Sequence, residues 1–110
     1  GHPLWGALFE TAVAAEIRKL CAVMSPPPHI YHWRSYSGAE VDLLLERDGR
    51  FFPIEVKAKS RPDRRDTSGI EAFRRQHPNL QVERGLVICP GETVIPLSER
   101  DVAIPWDLRE

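Results

Sequence analysis

Apolar positions recur at three- and four-residue steps early in the chain, alternate with polar ones in its middle, and run together near its end. From Leu4 to Cys21 the steps Phe9, Val13, Ile17, Leu20 and Met24 predict an amphipathic helix with its stripe on the core. Ser25-Pro26-Pro27-Pro28 ends it, because consecutive prolines lack amide donors and force extended backbone. Ile30 to Tyr36 reads as a strand, with Ile30, His32, Arg34 and Tyr36 on one face and Tyr31, Trp33 and Ser35 on the other. Ser37-Gly38 then turns the chain into a hairpin running from Glu40 to Lys57.

The hairpin organises the rest. Asp48-Gly49 is a pair favoured in two-residue loops whose central positions both take positive φ. The loop sets a register: Arg47 faces Arg50, Leu45 faces Phe52, Leu43 faces Ile54 and Val41 faces Val56, which makes one face apolar. On the other face Asp42 falls opposite Glu55 and Glu40 opposite Lys57. A bulge at Pro53 is where this register is most easily broken.

After Lys57 the stretch from Ala58 to Asp66 has no apolar period and reads as a loop. Ser68-Gly69-Ile70-Glu71 has the spacing of a capping box and opens a second helix that stops before Pro78, with Ile70 and Phe73 inward and Arg74 and Arg75 outward. Val82 to Cys89, with Leu86-Val87-Ile88 continuous, predicts a strand buried on both faces and parallel to its neighbour. Thr93 to Leu97 and Val102 to Trp106 are short strand candidates, a small appendix. The order is helix, three strands, helix, strand: an α/β chain with a mixed four-stranded sheet flanked by helices, in one domain spanning 1–110.

Composition narrows the classes. With 42% apolar and 28% charged residues the chain can bury a single core and is not a disordered tail. No apolar run approaches the ~18 residues of a membrane span and no signal-peptide pattern opens the chain, so the expected location is the cytoplasm. Cys21 and Cys89 lie outside any paired metal-ligand spacing and read as buried thiols. The 15 Lys and Arg nearly balance 16 acids, so contact with nucleic acid would need a local patch. The abrupt start beside a helix suggests a domain cut from a longer chain.

Directly opposed side chains of a hairpin have Cβ atoms only ~4.5–5.5 Å apart, so Asp42 against Glu55 is a destabilising pair unless something uses it. A divalent cation is the obvious use. Glu10 lies one position off the helix stripe among Gly6, Ala7, Val13 and Ala14, which reads either as a surface Glu or as a carboxylate half-buried under a close neighbour. Glu16 and Lys19 have the spacing of a solvated ion pair, while His29 and His32 point to opposite faces and lack a third ligand. Arg34 is either a salt-bridge partner of the acidic strand or a phosphate clamp. From Lys57 to Arg75 inclusive stand Lys57, Lys59, Arg61, Arg64, Arg65, Arg74 and Arg75, seven of the fifteen basic residues, against Asp63, Asp66 and Glu71. Such a run is most often a solvated face, but here it abuts the carboxylates, where an anionic substrate would lie.

The ordered set Gly6 to Glu10, Gly38-Ala39-Glu40-Val41-Asp42 and Ile54-Glu55-Val56-Lys57 resembles the PD-(D/E)XK nuclease superfamily, without the proline that names it. With His32-Trp33-Arg34 and Ala103-Ile104-Pro105-Trp106 added, nearly the whole chain resembles a domain of unknown function found at the carboxyl end of prokaryotic AAA-type ATPases. The resemblance implies a restriction-endonuclease-like αβββαβ core, with Asp42 and Glu55 as ligands of Mg2+ or Mn2+, Glu10 as a supporting ligand and Lys57 as the catalytic lysine. It implies phosphodiester hydrolysis of nucleic acid, DNA first, by the C-terminal part of an ATPase chain. Arg34, Lys59, Arg61, Arg64, Arg65, Arg74 and Arg75 are the candidate phosphate contacts. A silent nucleic-acid-binding or assembly module of the ATPase is the alternative, and acids that merely pair with Lys57 and Arg34 are the third.

Overall fold

The computed structural model describes residues 3–106. Helix α1 spans Pro3–Ala22, followed by β1 (His29–Arg34), β2 (Glu40–Arg47) and β3 (Arg50–Val56). A 3-10 turn, Arg64–Thr67, leads into α2 (Ser68–Gln76), after which come β4 (Gln81–Val82), β5 (Gly85–Cys89), β6 (Ile95–Pro96) and β7 (Asp101–Pro105). The strands form one mixed sheet in the order β1-β2-β3-β5-β7-β6, with β4 paired to β3. The three N-terminal strands are antiparallel, whereas β3, β5 and β7 run parallel. The final strands are therefore no appendix: β7 takes five rungs beside β5 and is buried over its first three residues.

The two helices cover opposite faces. On one, Phe9, Val13, Ile17 and Cys21 of α1 pack on Leu43, Ile54, Val56 and Ile88. The stripe holds a strict four-residue step, so Cys21 takes the place expected for Leu20, and Leu20 and Met24 are left exposed. On the other face Ile70 and Phe73 of α2 pack on Val41 and Leu44, with Trp33 edge-on to Phe73. Cys21 and Cys89 are buried free thiols, their ionisation pushed up chiefly by that burial.

The hairpin loop behaves as its residues require, with Asp48 at φ 55 and Gly49 at φ 79, and the ladder runs in the expected register from Arg47↔Arg50 to Leu43↔Ile54. Beyond that rung the expectation fails. Against β1, Tyr31 pairs with Leu44 but Trp33 with Val41, so β2 carries one residue more than its partner. This bulge, in β2 rather than at Pro53, rotates Val41 onto the α2 face away from Leu43 and Val56. β1 also ends two residues early. The Ser35 amide donates to the Ala39 carbonyl and its hydroxyl accepts from the Ala39 amide, a turn completed by Gly38 at φ 94 that carries Tyr36 out into solvent.

The helical cap was misplaced by five residues. Asp63 and Asp66 form the reciprocal capping box, on the 3-10 turn: Asp63 accepts from the Arg65 amide and Asp66 from the Asp63 amide. α2 itself begins without a side-chain cap. Its second residue, Gly69, lies so close to β2 that a Cβ there would overlap the Glu40 carbonyl.

Candidate active site

β2 and β3 part company just past the Leu43↔Ile54 rung, while on its other edge β3 runs on beside β5 through Ile54↔Leu86, Glu55↔Val87 and Val56↔Ile88. Two carboxylates fill the fork. Glu55 Oε1 accepts from the Asp42 amide at 2.9 Å, and Asp42 Oδ2 accepts from the Val56 amide at 2.8 Å. Each acid thus replaces, with its side chain, a hydrogen bond that the ladder no longer supplies. The reciprocal reach brings Asp42 and Glu55 side by side, but not as the ladder rung the hairpin register predicts, because the two strands have already parted after Leu43↔Ile54.

Glu55 is buried, only 5% exposed, and a Cβ on Gly69 would stand 3.2 Å from its Oε2. Burial first, and the neighbouring Asp42 charge second, push its carboxyl up from 4.5 to about 8, although the Asp42 amide and the Lys57 charge pull the other way. Lys57 follows β3 directly and is half-buried, its amide donating to the Ile88 carbonyl at 2.8 Å. Asp42 opens toward α1, onto a cavity of about 230 Å3 lined by Glu10, Thr11, Ala14, Arg18, Leu43 and Val56.

Glu10 is exposed rather than half-buried, and it shares the cavity with Asp42 without closing a three-acid cluster. Among the described residues no group of three His, Cys, Asp or Glu side chains is arranged to hold a metal ion. The bulge explains this, since it leaves Asp42 at the α1 cavity while Glu55 faces the start of α2. Arg18 was missed. The steps Glu10, Ala14 and Arg18 run parallel to the core stripe, one residue over, and that spacing was the signal for it.

The basic residues divide sharply. Arg34 is a salt-bridge partner: Nη2 and Nε donate to Glu40 Oε1 at 2.9 and 3.2 Å, and His32 Nε2 lies 3.0 Å from the same oxygen. The Arg34 hydrogen bond and charge, and then the His32 contact, hold the Glu40 carboxyl below its ordinary value, and Glu40 makes no ion pair with Lys57. Lys59 pairs with Asp66 at 2.9 Å and Arg65 with Asp63 at 2.8 Å. Arg74 does not look outward. Its side chain is 8% exposed and grips the fully buried Asp101 through Nη2 at 2.6 Å and Nη1 at 2.9 Å. Among the described residues Arg61, Arg64 and Arg75 make no ion pair and are exposed. The local acids that ordered the 3-10 turn are the ones that neutralise this stretch.

The family model described as a domain of unknown function, DUF4143, matches residues 5–108 and so takes in both strands of the fork, both helices and β7. The chain belongs to the DUF4143 family. It is also similar to the uncharacterized proteins Rv2008c of Mycobacterium tuberculosis and Mb2031c of Mycobacterium bovis, at 36% identity over 106 residues, 96% of this chain. The DUF4143 chain spans 22% of the length of each of these relatives. No helix of the described residues is long and apolar enough to cross a membrane.

Proposed function

We propose that this DUF4143 domain is a restriction-endonuclease-like nuclease that hydrolyses phosphodiester bonds of nucleic acid, DNA first, with Mg2+ or Mn2+ as cofactor. The meeting of Asp42 and Glu55 at the strand fork, beside Lys57, carries the reading. Two like-charged groups brought together out of water weaken a fold, and a cation between them reverses the sign of that interaction. Two carboxylates with retained waters suit Mg2+, which keeps much of its hydration and takes one or two carboxylates. Asp42 and Glu55 would hold the ion, and Glu10 shares with Asp42 the cavity beside α1. When bound, such an ion supplies positive charge to phosphate oxygens and acidifies a water. Lys57 would orient or deprotonate the attacking water, or neutralise charge as it develops. The domain then works in the cytoplasm as the C-terminal part of an ATPase chain.

The test titrates Mg2+ and Mn2+ into the protein with single-stranded, duplex and branched DNA and with RNA. Cleavage by the parent, its loss together with metal binding in Asp42→Asn, and retained metal binding without turnover in Lys57→Ala are the expected results. No divalent ion bound at millimolar concentration, with no substrate cut, would sink the reading.

One observation favours the second reading, a silent nucleic-acid-binding or assembly module of an AAA-type ATPase: each carboxylate already accepts an amide of the opposite strand and no three-acid cluster forms among the described residues. That module would bind nucleic acid through Arg61, Arg64 and Arg75 with a steep salt dependence and cut nothing.

A further inference from the structure

A second group of charged residues sits at the start of the parallel strands. β5 and β7 are in register from their first residues, Gly85 opposite Asp101, and Arg84 and Arg100 immediately precede those residues at the same end of the sheet. Both are exposed, and among the described residues neither guanidinium makes an ion pair. They line an open cavity of about 410 Å3 with Arg74, Val82, Glu83 and Glu99.

The nearby acids are already engaged. Asp101 is held by Arg74, whose Nη2 also donates to the Glu83 carbonyl at 3.2 Å. The Glu83 carboxylate accepts from Arg50 at 3.2 Å and from Gln81 at 2.8 Å. Only Glu99 is left against two uncompensated cations, which repel one another at the same end of the sheet. Paired guanidinium forks match the geometry of a tetrahedral oxyanion, which turns this repulsion into two charge-assisted contacts. The volume lies within the range of small-molecule sites, and Val82 gives it an apolar wall.

We propose that Arg84 and Arg100 form a binding site for the phosphoryl group of a small phosphomonoester, with the rest of the molecule against Val82. The site does not depend on the nuclease reading and lies at the start of β5, before Gly85, whereas the rung that Glu55 makes with Val87 is at the middle of that strand.

Calorimetry on the whole chain, with inorganic phosphate, a nucleoside monophosphate and a short oligonucleotide as probes, tests it. The monophosphate should bind at least about fivefold more tightly than phosphate, and Arg84→Gln or Arg100→Gln should weaken both by about tenfold at unchanged melting temperature. Glu99→Gln should tighten both several-fold by removing the one uncompensated acid, which a structural role would not do. Asp42→Asn and Arg75→Gln should leave both unchanged. The proposal is overturned if the two arginine variants bind like the parent, if phosphate and monophosphate bind equally, if chloride at equal ionic strength competes as well as phosphate, or if only the oligonucleotide binds.

Discussion

Two pairs of ionisable side chains tie elements to the same sheet and are built on opposite principles. Arg74 and Asp101 join α2 to β7 through two short hydrogen bonds, with the Gly85 amide as a further donor to Asp101. Every charge there has a counter-charge, and the pair fixes how the helix sits on the parallel half of the sheet. Asp42 and Glu55 also join two elements, β2 and β3, and their oxygens also find donors, but the donors are backbone amides and the partner across the fork carries the same sign. Hydrogen bonding is satisfied in both places, and among the described residues no buried side-chain polar atom lacks a partner. Charge is satisfied in only one. A fold needs the first kind of pair; the second remains in tension until a proton or a cation enters, which is why it and not the Arg74 pair is the candidate site.

Breaking the matched pair should have the largest effect. Arg74→Met leaves Asp101 fully buried without its cation, and urea denaturation should show a loss of about 3–5 kcal/mol. A smaller loss would mean that water reaches Asp101 and that the contrast with the fork is overstated.

Next comes the helix start that closes over Glu55. Gly69→Ala places a methyl on the Glu40 carbonyl, and since backbone cannot yield as a side chain end does, about 1–3 kcal/mol should be lost by the same measurement. If the variant is as stable as the parent, Gly69 is not pressed against the Glu40 carbonyl.

The mismatched pair should respond in the opposite direction. Asp42→Asn keeps an acceptor for the Val56 amide and removes the like charge, so without metal and above about pH 8, where Glu55 is ionised, the variant should be as stable as the parent or more stable by up to about 1 kcal/mol. Destabilisation would make Asp42 a structural acid. The pH dependence sharpens this. Unfolded Glu55 titrates near 4.5 and the folded residue at about 8, so between these values the folded chain holds more protons and stability falls as pH rises. The contribution is whole below 4.5, declines across that window and is gone above about 8. Metal-free melting curves should show the decline in the parent and its absence in Glu55→Gln; parallel curves would remove the tension from the fork.

The smallest effect belongs to the basic loop. Lys59→Ala breaks an ion pair with Asp66 whose lysine side chain is 46% exposed, and should change stability by no more than about 1 kcal/mol.

Local rules carried much of this protein. A two-residue loop that demands positive φ set the register of β2 and β3 from Arg47↔Arg50 to Leu43↔Ile54, because a strand's side-chain period is so short that one turn dictates the rungs that follow it until the ladder breaks. The continuous run Leu86-Val87-Ile88 likewise announced a strand covered on both faces. What the sequence could not settle depended on which partner each residue met. Val41 changed face because β2 must satisfy two neighbours at once, and a hairpin register speaks for only one of them. Arg74 looked like a surface cation until the chain returned 27 positions later with Asp101 beside it, a pairing that no local spacing encodes. Glu10 lies on the right helix face, but its distance from the acids is set by how α1 rests on Leu43 and Val56, a matter of side-chain volumes across the core. Backbone geometry is a short-range property and was legible in the sequence; the balance of charge inside the fold is long-range, and only the tertiary structure decided it.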